Sequence, residues 1–296
     1  MDNRDDLRQF LTSRRERLTP AEAGLPDFGG RRRVKGLRRE EVALIAGMST
    51  EYYVRLERGN GAGVSEAVLD GISRALQLDE AEHAHLYALV RAANQGTQPA
   101  RRRGPSRPQQ VRPAVQQLLD TMREVPVYVQ NGRLDAVATN RLGAALFSEM
   151  FVLPQRPVNA ARFTFLDPRA QTFYRDWEGN ARQIVALLRA EAGRAPYDRI
   201  LTDLVGELAT RSDLFRTLWA SHDVRVHRSG TKQVHHPVVG DLDLTFEAMD
   251  LTSEPGLQVL AFTAAAGSAS QDGLQLLAAW AATAQLESAR AETLSD

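Results

Sequence analysis

Four side chains between residues 50 and 55 are of types that can contact base pairs and phosphates in DNA. A helix over residues 50–57 would carry on its outer face Thr50, Glu51, Tyr52 and Arg55. An arginine can donate two parallel hydrogen bonds to guanine, and a glutamate can accept one from the amino group of cytosine. Each good bidentate pair discriminates by about 1–3 kcal/mol. This chemistry requires a short helix that can enter the major groove.

Residues 37–58, LRREEVALIAGMSTEYYVRLER, predict two crossing helices that would hold such a face. Gly47 is placed for the turn, where a side chain would be penalised at positive φ. Ser49 is placed as N-cap of the second helix, because its hydroxyl can accept from that helix's first amides. The apolar residues expected to pack inward are Val42, Ala43, Ala46, Met48, Tyr53 and Leu56.

Spacing alone fits an ordinary helical core equally well, and the distribution of charge favours DNA. Arg38 and Arg39 begin the first helix, Arg58 follows the second, and Arg31–Arg33 with Lys35 lie just upstream. Residues 1–112 hold 20 Lys+Arg against 15 Asp+Glu, a net of +5, whereas residues 113–296 hold 17 against 22, a net of −5. A basic half suits a polyanion, because phosphate contacts release counterions. An excess of this size also fits a solvated surface, so charge supports the argument without replacing it.

Helical patterns over residues 5–18, 65–78 and 79–93 flank the hairpin and give five helices, with the hairpin second and third. This arrangement and the string LRREEVALIAGMSTEYYVRLERGNG resemble the Cro and phage-repressor family of DNA-binding domains. The resemblance implies base reading by Thr50, Glu51 and Arg55. It implies phosphate contacts by Arg38, Arg39 and Arg58. We expect Ser49 and Tyr52 to contact phosphate as well.

Two segments depart from this family. Residues 59–63, GNGAG, replace a loop in which relatives tend to carry Arg and Pro. We expect a looser loop with fewer phosphate contacts, and therefore weaker binding per monomer and a greater need for a dimer. The insert over residues 19–36 carries Arg31–Arg33, which either follow the DNA backbone or belong to a solvated loop.

The second half predicts an α+β domain with an antiparallel sheet and helices on one face. Predicted strands cover residues 126–129, 134–139, 223–227, 231–237, 240–249 and 258–263. Predicted helices cover residues 115–122, 140–147, 173–192, 197–209 and 274–286. The chain then divides into an all-α DNA-binding domain (1–94), a Pro-, Gly- and Arg-rich linker (95–112), the α+β domain (113–267) and a C-terminal helix and tail (268–296). Arg101–Arg103 of the linker either touch the DNA backbone or are solvated.

A second resemblance covers residues 5–285. The segments VYVQNGRLDAVATNRLGAALF, FLDPRAQTFYRDW, VALLRAEAGR and RSDLFRTLWASHDVRVHRSGTKQVHHPVVGDLDLTFEAM resemble the ligand-binding half of the MmyB-like transcriptional regulators. The domain order matches as well. The resemblance implies a bacterial regulator whose second half is PAS-like and binds an apolar ligand such as a fatty acid. The excess of arginine, 35 against two lysines, also suggests a GC-rich bacterial genome.

A long-chain acid would need an apolar cavity and one cation or donor near its mouth. Arg189 and His236 are the candidates for its carboxylate, and Tyr128, Trp177 and Trp219 are candidates for the cavity walls. An ordinary apolar core explains most of these aromatic residues equally well.

Several other classes of function find no support in the sequence. The chain has no cysteine, no apolar run long enough to cross a membrane and no signal peptide in MDNRDDLRQF, so we expect a cytoplasmic protein without membrane association. The adjacent residues Ser221-His222-Asp223 cannot form a catalytic relay. A metal site at His227, His235 and His236 is disfavoured because neighbouring strand residues face opposite ways. We therefore expect no enzyme activity, no metal and no cofactor, apart from the apolar ligand.

The sequence as a whole predicts a homodimeric transcription regulator, most simply a repressor, that binds double-stranded DNA. Its two recognition helices would read half-sites ~34–36 Å apart, and an apolar effector in the second half would change operator affinity. The alternative is a DNA-bound interaction module whose second half docks a protein partner instead of a small ligand.

Overall fold

The computed structural model describes residues 3–25, 34–94, 110–220 and 229–293. Its contacts divide the chain into two compact units. The first unit comprises Met1–Gly104 and Val185–Val226, and the second comprises Pro105–Ile184 and His227–Asp296. Four features singled out in the sequence lie outside the described residues, namely Arg31–Arg33, Arg101–Arg103, the Ser221-His222-Asp223 trio, and the predicted strand 223–227 with His227.

The elements up to the third strand are α1 (Asn3–Arg17), α2 (Arg39–Ala46), α3 (Thr50–Glu57), α4 (Glu66–Ala75), α5 (Glu80–Asn94), α6 (Pro113–Thr121), β1 (Val127–Asn131), β2 (Asp135–Thr139), α7 (Arg141–Leu146), α8 (Ser148–Phe151) and β3 (Val158–Asn159). The remaining elements are α9 (Ala160–Leu166), α10 (Arg169–Phe173), α11 (Trp177–Arg194), α12 (Arg199–Arg211), α13 (Asp213–Ala220), β4 (Ser229–His236), β5 (Gly240–Asp250), β6 (Leu257–Thr263) and α14 (Ala269–Thr293).

The first unit contains the five N-terminal helices, whose ends lie within three residues of the predicted ones. Their shared core is built around Leu7, Phe10, Tyr53, Leu56 and Ile72, which are fully buried. Helices α2 and α4 approach so closely that a Cβ at Gly71 would lie 2.8 Å from the carbonyl oxygen of Ala46. A glycine is therefore required at this crossing, and the helix that precedes the turn is held firmly.

The loop over residues 59–63 is packed, so the prediction of a loose loop was wrong for its first half. Gly59 has φ +86°, and a Cβ on it would collide with the backbone of Arg4 in α1. Gly61 is buried against Val90 and Leu7. Glycine serves here for close approach to the core rather than for mobility.

The first unit also includes the C-terminal part of α11, together with α12 and α13. Ala190 of α11 packs against the N-terminal core, and a Cβ on Gly193 would lie 2.7 Å from Nδ1 of His85 in α5. The compact units therefore do not follow chain order. The sequence-based boundaries at 94/95, 112/113 and 267/268 remain predictions.

The second unit is built on a six-stranded antiparallel sheet in the order β3-β2-β1-β6-β5-β4. On one face, Val127, Val129 and Val259 pack against Leu119 of α6. The opposite face carries a cluster of aromatic rings, Tyr128, Phe147, Phe163, Phe173, Tyr174, Phe246 and Phe262, hereafter the aromatic cluster. The sheet is thus covered on both faces, and the prediction of helices on one face was too simple.

The single helix predicted over residues 173–192 is two helices, α10 and α11, with a break after Phe173. At the break Tyr174 forms a β-bridge with Val234, and the Arg175 amide donates to the Gln233 carbonyl oxygen (3.1 Å). This backbone pairing with the edge strand β4 replaces helical hydrogen bonds, and it also covers part of an exposed sheet edge.

Candidate functional site

The turn between α2 and α3 has the geometry that its sequence predicts. Gly47 adopts the left-handed conformation (φ 71°) at the end of α2, and the Met48 amide donates to the Ala43 carbonyl oxygen (3.0 Å). Ser49 caps α3, its hydroxyl accepting from the Tyr52 amide at 3.1 Å. The cap and the turn fix where α3 begins and how it is aimed.

One face of α3 is buried and the other is exposed. Tyr53 and Leu56 are fully buried, as the sequence predicts. The outer face forms part of a shallow surface depression lined by Thr50, Glu51, Val54, Arg55, Arg58 and Asn60. The structure therefore brings all three predicted base-reading residues together and places Arg58 beside them.

Arg55 is supported by its neighbour on the helix. Its Cζ lies 4.7 Å from the centroid of the Tyr52 ring, a cation–π contact. Stacking restricts the rotamers of a long side chain, so Arg55 loses less conformational freedom when it binds a base. Tyr52, predicted to contact phosphate, thus also orients the arginine.

A buried carboxylate lies on the inner face of α3. Glu57 is only 2% exposed, and it accepts from Arg15 Nε (2.6 Å) and from Arg39 Nε. Arg15 also donates to the Leu37 carbonyl oxygen just before α2 (3.0 Å). The hydrogen bond and the charge of Glu57 raise the pKa of Arg39. Since the Arg39 side chain is still 54% exposed, it can be held by Glu57 and face a phosphate at once.

Glu57 was not predicted from the sequence, although a signal was present. Glu57 follows Tyr53 by four residues, so it falls on the inner face of α3, where a charged residue needs a partner.

The other predicted phosphate contacts lie at helix ends. Arg38 precedes α2, where its amide donates to the Glu41 carboxylate (2.6 Å) and its guanidinium lies 3.4 Å from Glu40. Arg58 is exposed and is the C-cap residue of α3. The charge and exposure of both residues suit contact with the backbone of a duplex.

In the second unit, His236 is fully buried and both of its ring nitrogens have partners. Nε2 lies 3.0 Å from the Ala145 carbonyl oxygen and 3.5 Å from the Ser148 hydroxyl, while the Val238 amide donates to Nδ1 (3.2 Å). Burial lowers the pKa of His236, which favours the neutral ring that these contacts require.

The other candidate ligand residues are divided between the two units. Tyr128 lies in the aromatic cluster, 5.2 Å from Phe147 between ring centroids, and Trp177 donates from Nε1 to the Thr164 carbonyl oxygen (2.9 Å). Both belong to the second unit, as His236 does. Arg189 and Trp219 belong to the first unit, where the buried guanidinium lies 4.5 Å from the indole ring centroid and donates to the Trp219 carbonyl oxygen.

A cation that was not among the predicted ligand contacts, Lys232, lies on the inner face of the sheet. Lys232 Nζ donates to Asn180 Oδ1 (2.7 Å) and Gln183 Oε1 (2.9 Å), both on α11. Burial lowers its pKa to about 8. Strand alternation gave the available signal, because it places Lys232 on the same face as Val234 and His236.

Comparison with known families accounts for both parts of the chain. A helix-turn-helix domain family matches residues 6–86. The family described as the MmyB-like transcription regulator ligand binding domain matches residues 111–277, more than half of the chain. The chain belongs to the MmyB-like transcription regulators. No curated protein matches it.

This MmyB-like regulator is therefore a DNA-binding transcription regulator with a ligand-binding domain, α+β overall. Both matched families are regulatory and not enzymatic, as the sequence predicts. Within the described residues, no helix has both the length and the apolar character needed to cross a membrane.

Proposed function

We propose that this MmyB-like regulator acts as a homodimeric repressor in the bacterial cytoplasm and that an apolar acid controls its affinity for DNA. The observation that carries DNA reading is the surface depression on α3. It combines Thr50, Glu51 and Arg55 with the phosphate-type cation Arg58. This set offers the donors and acceptors that distinguish base pairs in the major groove, together with charge for the backbone.

The small size of the reading face supports a dimer. Helix α3 has eight residues, and its predicted base contacts come from three of them. One such helix can specify only a few base pairs, whereas two related by a twofold axis read half-sites ~34–36 Å apart. A second set of base contacts also increases the ratio between the affinity for the specific sequence and the affinity for non-specific sites.

Repression is the simplest outcome of such binding. A bound dimer needs only to occupy the major groove to exclude other proteins from a promoter, whereas activation requires an additional surface for polymerase. An effector then regulates transcription if its affinity differs between the arrangement of the dimer that binds DNA and the arrangement that does not. The coupling free energy is typically about 1–3 kcal/mol.

The ligand-binding family and the aromatic cluster support an apolar effector. The rings line one face of the sheet, with Phe147 and Phe262 only 5.0 Å apart between centroids. The rings are at most 7% exposed, so an acyl chain would have to enter between packed side chains. Once there, it would be stabilised by about 25 cal/mol per Å² of apolar surface removed from water.

The test uses the full-length protein and an operator selected from random duplexes. Fluorescence anisotropy and run-off transcription are measured with and without saturating dodecanoate, and a scrambled duplex serves as control. We expect the protein to lower transcription and dodecanoate to change operator affinity by about 5- to 150-fold. Identical affinity with and without acyl ligands would contradict effector control and favour the protein-docking alternative.

A further inference from the structure

Lys232 occupies a position on β4 that strand alternation would normally give to an apolar residue. Its neighbours on the same face, Val234 and His236, are fully buried. Its partner across the ladder is Leu244 of β5, which is also buried. The ammonium group therefore points to the side of the sheet that carries the aromatic cluster.

The contacts of Lys232 orient its charge without neutralising it. Asn180 and Gln183 supply two amide oxygens, which accept hydrogen bonds but carry no net charge. Within the described part of the chain, no carboxylate lies within ion-pair distance of Nζ. The attraction of Asp176 offsets only part of the effect of burial. A half-buried charge without a carboxylate partner leaves room for a further anionic group to stabilise it.

Two aromatic rings lie near the same nitrogen. Nζ lies 5.7 Å from the ring centroid of Tyr174 and 5.6 Å from that of Phe246. Phe246 reaches this position because Gly230 leaves space beneath it. A Cβ at Gly230 would lie 3.0 Å from Phe246 Cε1. The ammonium thus adjoins two buried rings, since Tyr174 is 5% and Phe246 is 4% exposed. Such an environment suits a ligand with one anionic end and an apolar body, and the body of the ligand would have to separate packed rings to enter.

We propose that Lys232 Nζ binds the carboxylate of the effector, while the apolar body of the effector lies against the aromatic cluster. This inference rests on the proposed function, since it names the group that recognises the effector of the same domain. An ammonium has three N–H donors, and the two amide oxygens leave one for the carboxylate. His236, in contrast, has protein partners on both ring nitrogens.

A competing explanation is that an inward-pointing charge protects the edge strand β4 from pairing with other chains. In that case Lys232 would affect association of the protein but not its choice of ligand. The two explanations therefore differ in how the substitution changes selectivity between a carboxylate and a neutral analogue.

The chain offers a matched control because it has only two lysines, Lys232 and the exposed Lys35. Binding of dodecanoate and of dodecanol is measured by calorimetry at pH 7 for the full-length protein and for K232M and K35M. We expect K232M to weaken dodecanoate binding at least about tenfold and to leave dodecanol binding unchanged. K35M should bind both compounds as the unsubstituted protein does, and retained dodecanol binding shows that K232M is folded.

Each other outcome has a definite meaning. If K232M keeps the full preference for dodecanoate, the inference is overturned while the effector function stands, and association of K232M would then identify edge protection. If the unsubstituted protein binds neither compound, effector control by an acyl ligand fails and the inference fails with it.

A second measurement follows the ionisation of Lys232 in the unsubstituted protein. Labelling with [13Cε]lysine gives two lysine signals, and K232M assigns them. The Lys232 signal should titrate near 8 in the free protein, and the groups that face its nitrogen are Asp176 and Tyr174. A bound carboxylate favours the charged ammonium, so dodecanoate should raise this pKa by more than one unit, and dodecanol should not. A pKa that dodecanoate leaves unchanged would contradict the inference.

Discussion

At the scale of single residues, Glu57 is the group that holds Arg39, one of the arginines predicted to contact phosphate. It accepts from Arg15 within the core and from Arg39 at the start of α2. Arg15 is 42 residues away in sequence and is almost fully buried. Removing the carboxylate would leave the buried Arg15 charge with the exposed and more distant carboxylate of Glu16, 3.7 Å away.

We predict that Glu57→Gln lowers the free energy of unfolding of the first unit by about 3 kcal/mol, because the buried Arg15 guanidinium loses its carboxylate partner at 2.6 Å. Urea denaturation followed by circular dichroism measures the change. Glu40→Gln is the matched control: Glu40 is exposed on α2, and its substitution should cost within about 0.5 kcal/mol. Equal effects of the two substitutions would show that the buried pair does not stabilise the fold.

The residues that could be predicted from the sequence depend on local patterns, whereas those that could not be predicted depend on distant partners. Ser49, Tyr53, Leu56 and Arg55 follow from helix periodicity and cap chemistry, which are local. Glu57 and Lys232 lie at inward positions that the same periodicity assigns to apolar residues. Their stability depends on partners far along the chain, Arg15 and the amides of α11, which no local pattern specifies.

At the scale of elements, the helices and strands with strong periodicity were predicted nearly to their ends. The recognition helix α3 occupies the predicted residues 50–57, and β1, β2, β5 and β6 lie close to their predicted ranges. The break between α10 and α11 was missed because Tyr174 pairs with Val234, a tertiary contact that overrides helix propensity. The short helices α8 and α9 were also missed, since fewer than eight residues give little periodicity.

Two helical glycines test how the end of α11 packs within the first unit. We predict that Gly193→Ala destabilises this unit, because the new Cβ would lie 2.7 Å from His85 Nδ1 and would displace the ring. Gly206→Ala on α12 is the control, since nothing lies within 4 Å of its added Cβ. Gly206→Ala should stabilise the helix by up to about 1 kcal/mol. Thermal denaturation of the full-length variants gives the comparison, and similar shifts of both midpoints would contradict the packing of Gly193 on α5.

At the scale of the whole molecule, the matched families and the compact units divide the chain differently. Residues 185–226 fall within the ligand-binding family match, yet they cluster with the helix-turn-helix residues. Helix α11 contributes Asn180 and Gln183 to the contacts of Lys232, and its later residue Ala190 to the core that supports α3. The sequence predicts a domain boundary in the linker. It does not predict that α11 contributes to both units, because the contacts responsible join residues far apart in the sequence.

The central claim is that the outer face of α3 reads base pairs, and selection from random duplexes by the full-length protein tests it most directly. We predict that the double substitution Glu51→Ala and Arg55→Ala abolishes enrichment of a specific sequence while retaining non-specific affinity. Arg58→Ala should keep the selected sequence, weaken binding to all duplexes and reduce the slope of log affinity against log salt by about 1. If the double variant selects the same sequence as the unsubstituted protein with the same preference, the assignment of α3 as the reading helix is contradicted.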